Sequence, residues 1–201
     1  MKPLIAFTFR ARSTCWLVSL VSLACSGVGA KPAPAPACDQ SCQDGVALLA
    51  LRLEMKFAFN LTVMGQPVGA QDKTEPCLPL GDSGVGSVHV FGDAESNADQ
   101  GDSTLALSYE FKNCSYAAPP DPTADQNFSV TVTGLVTETG TLAQQPTAPT
   151  ALMIQSDSLT LTGTVYDPPL DYTATDCALA VNQNGNAVAG TFCGRAAGFS
   201  F

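Results

Sequence analysis

Apolar and polar residues alternate one by one along most of this chain, and this pattern constrains the fold more than any other feature. Strict alternation is typical of β-strands that bury one face and expose the other. The longest run places apolar side chains at eight successive odd positions from Leu49 to Val63. Shorter runs of the same kind occupy residues 88–91, 105–111, 128–132, 152–165 and 177–181. The pattern predicts a chain built mainly from strands.

The run at residues 49–63 also contains many good helix formers, so a helix has to be weighed against a strand. A helix would place Arg52 and Lys56 on the same stripe as Met55, which mixes charge into the buried face. A strand keeps all eight apolar side chains on one face. We therefore predict a strand here, with at most a helical turn after Ser41.

The strand-like runs are separated by turn-rich segments. These segments, at residues 81–84, 119–122, 144–149 and 167–169, contain Gly, Pro or both. About eight short strands at near-regular spacing, without the long alternating helices of a βαβ fold, predict an all-β antiparallel sandwich. A small closed β-barrel is the alternative, because it has the same sequence signature.

The N-terminal segment has the parts of a secretory signal. Lys2, Arg10 and Arg12 form a positively charged start, and an apolar run follows at residues 16–24. No acidic residue occurs before Asp39. We therefore expect an exported protein.

Residues 21–25, Val-Ser-Leu-Ala-Cys, resemble the lipobox of bacterial lipoproteins. The resemblance implies that residues 1–24 are a signal peptide and that Cys25 is acylated. The protein would then be a membrane-anchored lipoprotein of the cell envelope. Cleavage after Ala30, which would leave a soluble secreted or periplasmic protein, is the alternative.

A stretch rich in Pro and Ala separates the signal from the rest of the chain. Residues 25–37 have the composition of a semi-rigid tether. Residues 38–201 then form a single β-domain, for which we expect about eight strands.

Six cysteines lie in that domain, and an even number in an exported chain predicts three disulfides. They are Cys38, Cys42, Cys77, Cys114, Cys177 and Cys193. The last two lie eight residues on either side of Gly185. A hairpin with a three-residue loop centred on that glycine would set them opposite each other, so we predict that they are bonded.

The other four cysteines leave the pairing open. Cys38 and Cys42 are too close in sequence for a comfortable bridge within a helix. We therefore expect them to bond to Cys77 and Cys114, in either order.

The acidic segment at residues 93–102 is the candidate metal site. Its oxygen-bearing residues at nearly alternate positions resemble the start of a calcium loop. They are Asp93, Glu95, Asn97, Asp99 and Asp102. Calcium is thus the one cofactor that the sequence suggests, and a solvated acidic turn is the alternative.

Charge and histidine content argue against several functions. Lys and Arg total 9 against 18 Asp and Glu, a formal net charge of −9, so we expect no nucleic-acid partner. No run approaches the roughly 18 consecutive apolar residues of a transmembrane helix, so we expect membrane attachment only through the lipid. His89 is the single histidine, and no Gly-x-Ser-x-Gly motif occurs, so the sequence shows no signature of a Ser-His-Asp hydrolase.

We therefore expect a binding or envelope-structural protein that is not an enzyme, with an unidentified protein or small molecule as its partner. The alternative is a β-barrel that carries a small apolar ligand in its interior. In such a barrel Met55, Phe57 and Phe59 would line a cavity; otherwise they would belong to a packed core.

Overall fold

The computed structural model describes residues 38–66, 68–77, 86–97, 99–118, 127–144 and 149–201. Within these residues the predicted all-β antiparallel architecture of about eight strands is confirmed, and one helix accompanies the strands. In chain order the elements are α1 (Gln40–Thr62), β1 (Gly69–Pro76), β2 (Ser87–Asn97), β3 (Asp102–Ala117), β4 (Phe128–Ala143), β5 (Ala151–Val165), β6 (Leu170–Asn184), β7 (Ala187–Phe192) and β8 (Arg195–Ser200). The predicted signal and tether, including Cys25, lie outside the described residues.

The eight strands form a single antiparallel sheet in which each strand pairs with the next one along the chain. β1 and β8 are its edges and do not pair with each other, so the sheet is open and is not a closed barrel. The layer packed on this sheet is α1 rather than a second sheet. Because α1 contacts strands from both edges, the sheet curves around the helix.

The run predicted as the first strand is instead most of α1, and that prediction is wrong. The Asp39 carboxylate caps the helix by accepting a hydrogen bond from the Cys42 N–H at 2.9 Å. Every residue from Asp44 to Arg52 is buried, so the middle of the helix has no solvated face. A helix enclosed on all sides is not required to be amphipathic, and the helix propensity of the segment then decides its structure.

A row of β-bulges crosses four neighbouring strands at one level of the sheet. Phe111 on β3 pairs with Gly134 on β4, Gly134 with Leu159 on β5, and Leu159 with Cys177 on β6. The register shifts beside each of these pairs. Since bulges bend strands and increase their twist, this row contributes to the curvature that encloses α1.

The N-terminal half of α1 packs against the edge strand β8 through a close contact between two glycines. A Cβ atom on Gly45 would lie 2.9 Å from the Gly198 carbonyl oxygen, so only glycine fits at this point of the helix.

β6 and β7 form the predicted hairpin, although its register differs from the predicted one. Asn184 pairs with Ala187, so the loop has two residues. Cys193 follows β7 with a φ of 50°, and its N–H donates to the Ala178 carbonyl. This turn brings the Cα atoms of Cys177 and Cys193 to 4.6 Å, and the two sulfurs are bonded as predicted.

Candidate functional site

Cys38 and Cys42 form a disulfide with each other, which corrects the prediction that they reach Cys77 and Cys114. Their Cα atoms are 5.2 Å apart. The prediction assumed that both cysteines lie within one helix, where a bridge between them would be strained. Because α1 begins at Gln40, Cys38 instead lies in the extended segment before the helix. The bridge therefore fastens that segment to the first turn of α1.

Cys77 and Cys114 form the third disulfide, with Cα atoms 5.5 Å apart. Cys77 follows β1 and Cys114 lies on β3, so the bridge spans the end of β2 that separates these strands. Gly86 makes room for it, because a Cβ atom there would lie 2.3 Å from the Asn113 carbonyl oxygen. The Cys77 N–H donates to the Gly86 carbonyl at 3.1 Å.

Glu54 of α1 points at this disulfide. A carboxylate oxygen of Glu54 and the sulfurs of Cys77 and Cys114 all lie within 4.8 Å of one another. Glu54 is 0% exposed, and neither of its oxygens has a hydrogen-bond partner among the described residues. An unpartnered buried carboxylate is costly and calls for a functional explanation.

The surroundings of Glu54 favour its neutral form. Burial raises its pKa to about 7, from an ordinary value of 4.5. Burial also raises the pKa of Tyr116 on β3, and the nearby Glu54 charge raises it further. The three atoms of the site are thus held in a dry environment at the inner surface of the sheet.

A second buried charge on α1 is paired. The Arg52 Nη1 atom lies 3.0 Å from Glu138 Oε1 on β4, and Arg52 Nε donates to Gln183 on β6 at 2.8 Å. The Tyr109 hydroxyl on β3 donates to Glu138 Oε2 at 2.7 Å. Burial, followed by the charge of Glu138, raises the pKa of Tyr109 and keeps it a donor.

A third buried group, Asp44, joins the start of α1 to distant strands. Its carboxylate accepts hydrogen bonds from the Tyr172 hydroxyl on β6 at 2.7 Å and from Gln40 at 3.0 Å. Arg195 on β8 contacts the same carboxylate through Nη2 at 2.9 Å. Burial and the bond to Asp44 raise the pKa of Tyr172. These contacts orient the helix within the sheet.

A cleft of about 270 Å³ opens where α1 ends, beside the hairpin of β2 and β3. Phe59 and Leu105 contribute apolar surface, and Ser103 and Gln144 contribute a hydroxyl and an amide that are hydrogen-bonded to each other at 2.9 Å. Two exposed apolar side chains, Met64 at 60% and Val68 at 66%, stand at its margin. We call this space the α1-end cleft.

The residues of the predicted calcium loop are spread along a hairpin. Asp93, Glu95 and Asn97 lie on β2, and Asp102 begins β3 opposite Asn97. The Asn97 amide donates to the Asp102 carboxylate at 2.9 Å, so these two groups satisfy each other. Asp99 lies in the turn between the strands. Among the described residues, the trio of Glu54, Cys77 and Cys114 is the one set of metal-ligating side chains that converges, and the hairpin acids do not.

Sequence reasoning missed the buried charges of α1. Treating residues 49–63 as a strand assigned Arg52 and Glu54 to a solvated face, and both are buried. The sequence feature that could have revealed the buried helix is the uninterrupted segment of small and apolar residues from Gly45 to Leu51. Such a segment indicates a helix surrounded by protein, in which a following charge needs a partner.

The fold and the site together define a structural class of domain. It is a mostly-β domain in which one open antiparallel sheet encloses a helix that carries buried charges. No helix in the described part of the chain is long and apolar enough to cross a membrane. Comparison with protein-family models, with curated proteins and with solved structures gives no match.

Proposed function

We propose that this protein is an exported binding module without catalytic activity of its own, anchored to the cell envelope by a lipid on Cys25. We further propose that it binds a small neutral amphipathic molecule in the α1-end cleft. The observation that carries the binding proposal is the cleft itself, which combines apolar walls with hydroxyl and amide groups. Its volume is just under the range of about 300–1,000 Å³ that ligand pockets occupy.

The charge of the lining supports a neutral ligand. Of the described residues that line the cleft, Glu95 is the one that carries a charge, and the others are apolar or bear amide or hydroxyl groups. An anionic ligand would be repelled by this carboxylate and by the net charge of −9. A purely apolar ligand would exclude water from the donors and acceptors of Ser103 and Gln144 that their mutual hydrogen bond does not use, which is unfavourable.

The interior of the sheet is a poorer place for a ligand than the cleft. Met55, one of the residues expected to line a ligand cavity, is 0% exposed and belongs to the packed core. Phe59 is also buried in that core. A ligand inside the sheet would have to displace α1 and break the buried bonds of Asp44 and Arg52.

Three cysteine pairs at bonding distance support the export part of the proposal. Structural disulfides form and persist in oxidising compartments and are rare in the cytosol. The lipobox resemblance at residues 21–25 supports the anchor.

The binding proposal is tested with the neutral dye Nile red as the probe. We expect fluorescence titration to show saturable binding to the wild-type protein. Ser96→Trp, at the exposed rim of the cleft, should weaken the affinity by about tenfold or more because the indole occupies the space, a loss of roughly 1.4 kcal/mol.

Ser129→Trp is the matched control, since Ser129 is exposed on β4 and does not line the cleft. Its affinity for the dye should equal that of the wild type. Equal weakening by the two tryptophans, or no saturable binding at all, would refute binding in the cleft.

A further inference from the structure

Glu54, Cys77 and Cys114 have the composition of a metal site, and the fold brings the three side chains together. Thiolates and a carboxylate are ligands that zinc accepts, and three protein ligands with one open position are a common zinc arrangement. The three candidate atoms lie within 4.8 Å of one another, so once the S–S bond is broken and the sulfurs separate, one cation could contact all three. They come from α1, from the end of β1 and from β3, which are held together by the fold.

The state of Glu54 points to a missing partner. Its two oxygens are buried without a hydrogen bond, whereas Asp44 and Glu138, the other buried acids of the helix–sheet interface, each contact an arginine and a tyrosine. No arginine or lysine of the described residues is paired with Glu54. A bound metal ion would supply the positive charge that Arg52 and Arg195 supply at the other two acids.

We propose that, when the Cys77–Cys114 disulfide is reduced, the two cysteines and Glu54 bind one zinc-class divalent cation. Reduction breaks the S–S bond: a dithiol donates two electrons and two protons to the two sulfurs and closes into its own disulfide. Binding of the cation then releases the two thiol protons and the proton of the neutral Glu54 carboxyl to solvent, since thiolates and a carboxylate are the ligands. In the oxidised protein the sulfurs are joined and no such site exists. Disulfide and metal are therefore alternative states of the same two residues.

The other cysteines differ from this pair in a way that makes the proposal specific. Among the described residues, no carboxylate or histidine joins Cys38 and Cys42, or Cys177 and Cys193, in a convergent set of three. The cation is thus assigned to the one pair that has an acidic third ligand.

The test uses Co²⁺, whose bonds to thiolate absorb light, and a protein with the four other cysteines changed, Cys38→Ser, Cys42→Ser, Cys177→Ser and Cys193→Ser. A phosphine keeps the remaining pair reduced; it becomes the phosphine oxide, and water supplies the oxygen and the two protons. We expect one Co²⁺ per chain, a thiolate-to-cobalt absorption band, and displacement of Co²⁺ by Zn²⁺. Cys77→Ser should abolish the band.

Glu54→Gln in the same background should weaken Co²⁺ binding by more than the roughly 10- to 100-fold that is lost when a group hydrogen-bonded to a metal ligand is removed. Asp171→Asn is the matched control, because Asp171 is an exposed carboxylate on β6 outside the convergent set, and its loss should leave the affinity unchanged. Circular dichroism establishes that each variant is folded. No stoichiometric binding by the folded reduced protein, or equal affinity in Glu54→Gln, would overturn the proposal.

If the four-serine protein does not fold, the comparison is made between the reduced wild-type protein and a Cys77→Ser, Cys114→Ser double variant. The double variant should bind one equivalent of Co²⁺ fewer. Equal stoichiometry in the two proteins would assign the metal elsewhere and would likewise overturn the proposal.

Discussion

Arg52 and Glu138 illustrate how a buried ion pair behaves when one partner is removed. The side chains are 9% and 1% exposed, so neither charge can be solvated in place. Breaking such a pair commonly costs about 3–5 kcal/mol, whereas replacing both charges with apolar groups can be close to neutral. The pair therefore fixes the position of α1 more than it adds net stability.

We predict that Arg52→Met and Glu138→Leu each lower the free energy of unfolding by about 3–5 kcal/mol. The double variant should be less destabilised than the sum of the two. Urea unfolding of the wild type, the two single variants and the double variant forms a double-mutant cycle, which measures the interaction energy between the two side chains. The matched control is the exposed pair of Lys112 and Glu110, 3.4 Å apart, whose cycle should give at most about 1 kcal/mol. Additive effects at Arg52 and Glu138 would show that the contact is energetically irrelevant.

Glu54 predicts a pH dependence of stability in the oxidised, metal-free protein. Its pKa is about 7 in the folded state and near 4.5 in the unfolded state, so the folded state binds more protons between these values. This group therefore lowers stability as the pH rises from about 4.5 to 7. The groups facing it are Tyr116 and the sulfurs of Cys77 and Cys114, which do not titrate while bonded.

Glu54→Gln removes this titrating group, and we predict that it becomes more stable relative to the wild type as the pH rises through that window. The relative gain should be on the order of 2–3 kcal/mol, at about 1.4 kcal/mol per pKa unit. Urea unfolding at pH 4.5 and pH 7.5 in the presence of a chelator measures it. A constant difference between the two proteins across this range would contradict the prediction.

At the scale of elements, the fit of α1 against β8 depends on Gly45. Alanine is the better helix former by up to about 1 kcal/mol, but its Cβ would lie 2.9 Å from the Gly198 carbonyl oxygen. Overpacking of this kind commonly costs about 1–3 kcal/mol. The steric cost of the alanine Cβ should therefore exceed the gain in helix propensity.

We predict that Gly45→Ala lowers the free energy of unfolding by about 1–2 kcal/mol, measured by chemical denaturation. Ser41→Ala, at an exposed position of the same helix, is the control and should be neutral or slightly stabilising. A stabilised Gly45→Ala protein would mean that the helix can move away from β8 without loss.

The elements also show which parts of the fold were predictable. The strands β2 to β6 follow from alternation because each has one face on the core and one in solvent. α1 could not be found in this way, because its middle, from Asp44 to Arg52, is buried on every side and the apolar periodicity of a half-exposed helix is absent there. The bond between Cys177 and Cys193 follows from the hairpin, but its register depends on the turn at Cys193, which sequence spacing does not specify.

The candidate site was less predictable than the fold. Glu54 meets Cys77 and Cys114 only because α1 lies inside the curved sheet, and no local pattern encodes that approach. The acidic residues at 93–102 are close in sequence, yet the hairpin spreads them along two strands. Proximity in sequence was therefore a poor guide to convergence in space.

For the whole molecule, we predict the covalent state of the protein recovered from its own host. Its intact mass should correspond to a chain that begins at an acylated Cys25 and should rise by six hydrogens on reduction, since three cysteine pairs lie at bonding distance. Cys25→Ser should abolish acylation, and Ser26→Ala should not. A chain that begins at an unmodified Lys31 would refute the anchor and leave the secreted form.

The enclosure of α1 has a consequence for how the chain folds. The helix is the first element of the domain, yet Arg52 bonds to Gln183, 131 residues away, and Asp44 bonds to Tyr172 and Arg195, 128 and 151 residues away. A nascent chain thus produces its most apolar segment long before the strands that cover it. High contact order slows folding, and slow folding prolongs the exposure of apolar surface. Deletion of the last two strands should consequently yield an aggregation-prone chain rather than a smaller stable domain.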